Sequence, residues 1–383
     1  MSPPRSLSRL FALAGLVLAT LLLAGTGRAS DNGRVQLLVR FDSTPSREQV
    51  ALLTATGLER SDSIPELGVD VLSVPADQKN DALALLRSTP GVAYAEVDAV
   101  VETAELLPSD PSFPQTFTVN TGGWGWYKTH TTQAWDITRG SPSVVVAVLD
   151  TGLKPQGLAD LTGQVVSGWN VLNHSSDTAS QAGVHGTEVA GVVGMALDNS
   201  AGNAGFCPNC RVMPVQVGSD QGANLSDIAA GITWAADHGA KVENLSWAST
   251  ASSSTITNAV SYARSRGVVV VAAAGNAGCD CRTYPAATSG VVGVAGTVAD
   301  DSRASYSNYG SWVKLAAPGS LISSYPTVGY VPVVGTSFAS PLVAGIAGLL
   351  FSAAPNATVA QVEQALETSA VHVGFSVAYG RVD

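Results

Sequence analysis

Short apolar runs that recur between helical patterns constrain this chain more than anything else in its sequence. They lie at 144–149, 212–217, 242–246, 268–273, 291–296 and 313–316. Their hydrophobicity is continuous rather than alternating, which is the pattern of strands buried on both faces. Helical patterns fall at 226–238, closed by Gly239, and at 255–266, closed by Gly267. Two more follow at 337–353 and 358–368, the latter opening with Thr358 and Gln361 at capping-box spacing. Such strands separated by helices predict a doubly wound, mostly parallel α/β sheet with helices on both faces. Open sheets of this kind place ligands beyond the carboxyl ends of their strands, so polar residues there are the first candidates for chemistry.

The run from Val144 delivers Asp150 at its carboxyl end, beside Gly152, which permits a turn. The run from Val268 ends in Ala274-Gly275-Asn276. His185-Gly-Thr-Glu-Val-Ala-Gly191 sets a histidine at the head of a small-residue helical stretch. Gly335-Thr-Ser337-Phe-Ala-Ser-Pro341 presents a hydroxyl at a helix N-terminus, where proline is tolerated in the first turn. A serine hydroxyl is a weak nucleophile at neutral pH unless a base and an orienting acid serve it. His185 and Asp150 are side chains of those two kinds, and the Asn276 amide can donate to a developing oxyanion. His130, His174, His238 and His372 stand in no comparable setting.

In the order Asp, His, Asn, Ser, these segments resemble the subtilisin-like serine protease (subtilase) family, from about Asp110 to Asp383. The resemblance implies a serine endopeptidase acting through an acyl-enzyme. Asp150, His185 and Ser337 would form its triad, with Asn276 beside the Ser337 N–H as oxyanion donor. Where the family usually has a second histidine, this chain has Glu188. By the same resemblance substrate binds extended between Gly218–Gly222 and Asn244–Ser249, with Ala274, Gly275 and Thr283 near the P1 pocket. The family usually carries two glycines after its counterpart of Trp247. Ala248 and Ser249 follow it here, implying a narrower pocket, with Trp247 either its wall or a core residue. No acid is placed to demand a basic P1 side chain, so a broad or apolar preference is expected. The resemblance also implies structural calcium, held by Asn199, the carbonyls of Leu197, Ala201 and Asn203, and the carboxylates of Asp110 and Asp160. The 197–203 segment offers oxygen ligands at alternate positions, as calcium requires.

Upstream, Arg5 and Arg9, an apolar stretch at 10–24 and small residues at 27–29 form the pattern of a signal peptide. Residues 31–101 read as a separate small α+β unit, with strands at 34–41, 68–74 and 93–98 and helices at 46–57 and 77–87. That succession suits a ferredoxin-like split βαβ unit, and its position resembles the subtilase propeptide, a chaperone and inhibitor in that family. Residues 102–116, rich in Pro, Ser and acid, read as a cleavable linker before a catalytic domain at 117–383. The net charge of −10 argues against nucleic acid as a partner, because phosphates call for a basic surface. Polypeptide substrates and a monomeric secreted enzyme without a stable membrane anchor are expected instead. In an exported chain Cys207, Cys210, Cys279 and Cys281 favour disulfides over zinc, for which C-x-C is poor spacing. A local Cys207–Cys210 pair is favoured over cross-pairing. The alternative from another functional class is a catalytically silent subtilase-fold adhesion or binding module.

Overall fold

The computed structural model describes residues 33–43, 57–98, 107–114, 123–154, 159–179, 183–325 and 329–383. The signal-peptide segment, the helix expected at 46–57 except Gly57, and part of the expected linker fall outside these. Contacts divide the chain into two units, Met1–Ala104 and Glu105–Asp383.

In the first unit, β1 (Arg34–Phe41), β2 (Glu59–Ile64), β3 (Val69–Pro75) and β4 (Val92–Val97) form an antiparallel sheet in the order β2-β3-β1-β4. Helix α1 (Lys79–Ser88) packs on it through Ala82, Leu83 and Leu86, against Leu37, Val39, Leu72 and Val74. The strand β2 has no counterpart in the sequence reading. Its residues Glu-Arg-Ser-Asp-Ser-Ile are almost all exposed, so no apolar alternation marks them, and pairing with β3 alone makes them a strand.

The second unit opens with residues 107–114, inside the stretch expected to link domains. Here they belong to the folded body: Phe113 is buried, with its ring 5.2 Å from that of Trp126 and 6.0 Å from that of Trp135. These tryptophans lie on two short helices absent from the sequence reading, α2 (Trp124–Lys128) and α3 (Thr131–Ile137). There follow β5 (Val145–Asp150), β6 (Trp169–Asn170), α4 (His185–Gly194), β7 (Arg211–Gln216), α5 (Leu225–Asp237) and β8 (Val242–Leu245). Next come α6 (Ser254–Ser265), β9 (Val269–Ala273), β10 (Val291–Thr297), β11 (Leu315–Pro318) and the hairpin β12 (Ser320–Tyr325) with β13 (Gly329–Val334). The chain closes with α7 (Thr336–Ala353), α8 (Val359–Thr368) and β14 (Gly380–Arg381).

Eight strands form one parallel sheet in the order β14-β11-β10-β9-β8-β5-β7-β6. Successive residues of β5 serve opposite faces: Val146 and Val148 join a core with α4 and α7, while Ala147 and Leu149 join one with α5 and α6. Two buried faces explain the continuous apolar runs. Helix α7 is the one helix among the described residues long and apolar enough to cross a membrane; 78% of its apolar window is buried inside the protein, as befits a core helix. At α8 the expected capping box forms: Thr358 accepts from the Gln361 N–H, and the Gln361 side chain accepts from the Thr358 N–H. Because β5 is flanked by both β7 and β8, the strand order reverses there, and the crevice at its carboxyl end is where this architecture binds ligands.

Candidate active site

Asp150 closes β5 at that crevice and is only 1% exposed. Its Oδ1 accepts the Thr151 N–H at 2.8 Å and faces His185 Nδ1 at 2.8 Å. A carboxylate only accepts, so Nδ1 carries the proton and Nε2 is left as the basic nitrogen. The two motifs are stitched together twice. Thr151 Oγ1 accepts from the Gly186 N–H at 3.0 Å, and Thr187 Oγ1 accepts from the Lys154 N–H at 2.9 Å. Gly186 must be glycine, since a Cβ there would lie 2.3 Å from the Gly152 carbonyl oxygen. That close approach lets the head of α4 sit on the end of β5. Burial pushes the imidazole down, but the Asp150 charge and hydrogen bond, with the charges of Glu188 and Asp220, outweigh it and hold His185 above the usual histidine value.

Ser337 is half-buried in the first turn of α7, and the His185 ring lies 5.8 Å from that of the next residue, Phe338. Asn276 follows β9 and is exposed, yet its amide is fixed. Oδ1 accepts from the Thr336 N–H at 3.0 Å and from Thr336 Oγ1 at 2.8 Å, which turns the amide N–H groups outward. A Cβ built on Gly335 would lie 3.5 Å from Asn276 Nδ2 and 3.7 Å from the Ser337 nitrogen. The Asn276 amide and the Ser337 backbone N–H are therefore neighbours at Gly335, at the positive end of an 18-residue helix.

The residues named for substrate binding gather around this point. Ser246 Oγ donates to the Ser337 carbonyl at 2.8 Å, and Asn244 bridges Ser246 to Ser340 of α7. Ser249 and Tyr284 exchange backbone hydrogen bonds, while Thr283 Oγ1 and Asn308 Nδ2 both donate to the Ala274 carbonyl. Gly275 donates to Thr336 Oγ1 at 3.1 Å. Ala248 and Ser249 are exposed. Trp247 is half-buried against the α5/α6 core; its indole N–H donates to the Leu149 carbonyl at 2.8 Å and its ring edge abuts Gly218. Thr336 stands inside the Gly335–Pro341 motif without being singled out and Asn308 lies in none; the first holds the Asn276 amide and the second the loop around it.

The residues expected to hold calcium also converge. Asp110 accepts from the backbone N–H groups of Asp198 and Asn199, and Asp160 accepts from the Asn199 amide at 2.6 Å and the Asn203 N–H at 3.1 Å. Asn199 Oδ1 accepts from the Ala201 N–H. The Tyr330 hydroxyl, which the sequence reading did not include, also bonds Asp160. Asp110 is 2% exposed and Asp160 fully buried. Burial and the neighbouring Asp110 charge, opposed by hydrogen bonds, push Asp160 up to about 6. Among the described residues no cationic side chain pairs with either carboxylate, and no group of three or more His, Cys, Asp or Glu side chains is arranged to hold a metal ion by itself. Two adjacent buried carboxylates without a counter-charge suit an oxygen-binding cation. Both cysteine pairs are bonded locally, Cys207 to Cys210 and Cys279 to Cys281.

Residues 141–381 match the model of the subtilase family, and residues 34–98 match that of the fervidolysin N-terminal prodomain. The chain is 41% identical to thermitase of Thermoactinomyces vulgaris over 281 residues, 72% of this chain and 97% of that protein. Among solved structures it resembles a protease from Pseudoalteromonas arctica, at 34% identity and a TM-score of 0.64, covering 73% of this chain and 97% of that one. It also resembles fervidolysin from Fervidobacterium pennivorans, a keratinolytic enzyme related to subtilisin. There the identity is 26% and the TM-score 0.62, over 93% of this chain and 61% of that one. With a parallel sheet that carries Asp150, His185, Asn276 and Ser337 to one crevice, and with a prodomain before it, the chain belongs to the subtilase family of serine peptidases.

Proposed function

We propose that this protein is a secreted serine endopeptidase made as an autoprocessed precursor. Ser337 attacks the peptide carbonyl. His185 Nε2 takes its proton and returns it to the leaving amine, and Asp150 holds the tautomer and stabilises the imidazolium. The tetrahedral oxygen is met by Asn276 Nδ2 and the Ser337 N–H. Water then hydrolyses the acyl-enzyme through the same groups. The observation that supports this reading most is the Asn276 amide, fixed by Thr336 next to the Ser337 N–H, with His185 bonded to Asp150 and its ring near Phe338. Residues 1–29 act as the signal peptide, and residues 31–101 act as chaperone and inhibitor until the linker at 102–116 is cut. Extended substrate lies between Gly218–Gly222 and Asn244–Ser249 as an added strand. Calcium, bound by Asp110, Asp160, Asn199 and the carbonyls of Leu197, Ala201 and Asn203, supplies the counter-charge those two carboxylates lack.

Replacing Ser337 tests this directly. Wild-type material should lose residues 31 to about 105, because the linker carbonyl meets the triad within one molecule at high effective concentration. It should digest casein, and cut short peptides with Phe, Leu or Ala at P1 faster than those with Arg or Lys. Ser337→Ala should remain joined to the prodomain and be inert, yet stay folded, since it loses one half-buried hydroxyl. A wild-type protein that neither matures nor cleaves casein would instead support the silent binding module.

A further inference from the structure

The mechanism leaves the two disulfides without a role, and their surroundings differ. Cys207 and Cys210 are fully buried, packed against Gly140 and Gly348. Cys279 and Cys281 are half-exposed. They lie in the segment that runs from the oxyanion residue Asn276 to Thr283, whose hydroxyl braces the Ala274 carbonyl. That segment has no regular secondary structure and is held point by point. Asn308 Oδ1 accepts from the N–H groups of Ala277, at 2.9 Å, and Cys279, at 3.4 Å. Its Nδ2 donates to the Ala274 carbonyl at 2.9 Å. The Gly278 N–H donates to the Tyr306 carbonyl, the Cys279 carbonyl accepts from Tyr309, and Asp280 accepts the Trp312 indole N–H at 3.0 Å. Cys279 Sγ itself lies 3.6 Å from Asn308 Oδ1.

We propose that Cys279–Cys281 is a modification site for dithiol reductants, through which the loop behind the oxyanion amide is unlocked and turnover reduced. The inference rests on the proposed protease reading. A thiolate of the reductant attacks one sulfur and the S–S bond breaks. The departing cysteine takes a proton, and the second thiolate of the reductant then attacks the reductant's own sulfur in the mixed disulfide and expels the other cysteine, which takes a proton in turn. Two protein thiols form and the dithiol becomes a cyclic disulfide. Access selects the site, because the buried Cys207–Cys210 bond is closed to an incoming thiolate while the half-exposed bond is open. Opening it frees the chain around Asp280, and with it the Asn308 contacts that connect the loop to Ala274 and Gly275, the residues just before Asn276. The ring closed by this bond spans a single residue, so it restricts the unfolded chain little and its loss should not unfold the domain.

The test uses the matured protein, incubated with dithiothreitol and then with an alkylating reagent. Peptide mass mapping should find Cys279 and Cys281 alkylated and Cys207 and Cys210 still bonded, with the melting temperature unchanged. On a chromogenic peptide with Phe at P1, kcat/KM should fall at least fivefold and recover on reoxidation. Cys279→Ser/Cys281→Ser should show the lowered kcat/KM from the outset and no response to reductant. An enzyme that is active, has both thiols alkylated and keeps its kcat/KM overturns the proposal, as does equal inhibition of the double variant or reduction of the buried pair first. Absence of activity before any reductant is added overturns the protease reading instead.

Discussion

His185 and Glu188 stand three residues apart on α4, so they share one face of the helix, and Asp220 adds a third negative group after Asp150 and Glu188. Each of these charges stabilises the imidazolium. In the proposed mechanism the base works only when neutral, so activity should be lost on the acid side as pH falls through a His185 value held above the usual one. Glu188→Gln removes one charge without touching the Asp150 hydrogen bond. The acid limb of kcat/KM should then move to lower pH. An ion pair of this exposure is worth roughly 0.2–1 kcal/mol, so activity at pH 6 relative to the alkaline plateau should rise roughly 1.5- to 5-fold. A pH–rate profile on a short peptide checks this, and an unmoved or alkaline-shifted limb would remove Glu188 from the electrostatics of the base.

Among the elements, β8 carries the least expected residue of the core. Glu243 is fully buried, and neither of its carboxylate oxygens has a hydrogen-bond partner among the described residues. Its register neighbours are Ala147 of β5 and Val270 of β9, both in the α5/α6 core. Burial pushes its carboxyl well above the usual range. The folded state therefore keeps a proton that the unfolded chain releases above about pH 4.5. Stability is unaffected by this group below that pH and declines as pH rises toward the folded value. Glu243→Met removes the titration and an unpaired polar group worth about 1–3 kcal/mol. In the Ser337→Ala background, to prevent self-digestion, its melting temperature should exceed that of the parent, by an interval that widens from pH 5 to pH 9. Glu243→Gln should abolish the widening without the full gain. Parallel curves for all three proteins would show that Glu243 is solvated or paired.

At the scale of the whole molecule, the proposed calcium joins parts of the chain that are far apart in sequence, Asp110, Asp160 and the 197–203 loop, all within the second unit. A ligand present at 100 times its dissociation constant stabilises by about 2.7 kcal/mol. With roughly 2–4 °C per kcal/mol for a domain of this size, a strong chelator should lower the melting temperature of the Ser337→Ala protein by about 5–10 °C. Calorimetry with and without added calcium checks this, and coincident scans would leave the two buried carboxylates without their proposed counter-ion.

The sequence by itself determined the layered parallel sheet, because strands buried on both faces must be apolar throughout and helices must separate them. It also singled out Asp150, His185, Asn276 and Ser337 as the candidates for chemistry, since each stands beside small residues at the end of a strand or the head of a helix. The same local logic found the α8 capping box and most of the prodomain strands. It could not find β2, whose polar residues become a strand only by pairing with β3, nor α2 and α3, which are too short for a period to show. Asn308 and Tyr330, and the part Thr336 plays within the serine motif, were invisible for a related reason: each orients a group distant in sequence, and a hydroxyl or amide gives no sign of which distant atom it will meet. Trp247 shows the limit most plainly, since an indole suits a pocket wall and a core equally well. Only the fold, by bringing the Leu149 carbonyl and the bare backbone of Gly218 to its two edges, decided where it lies.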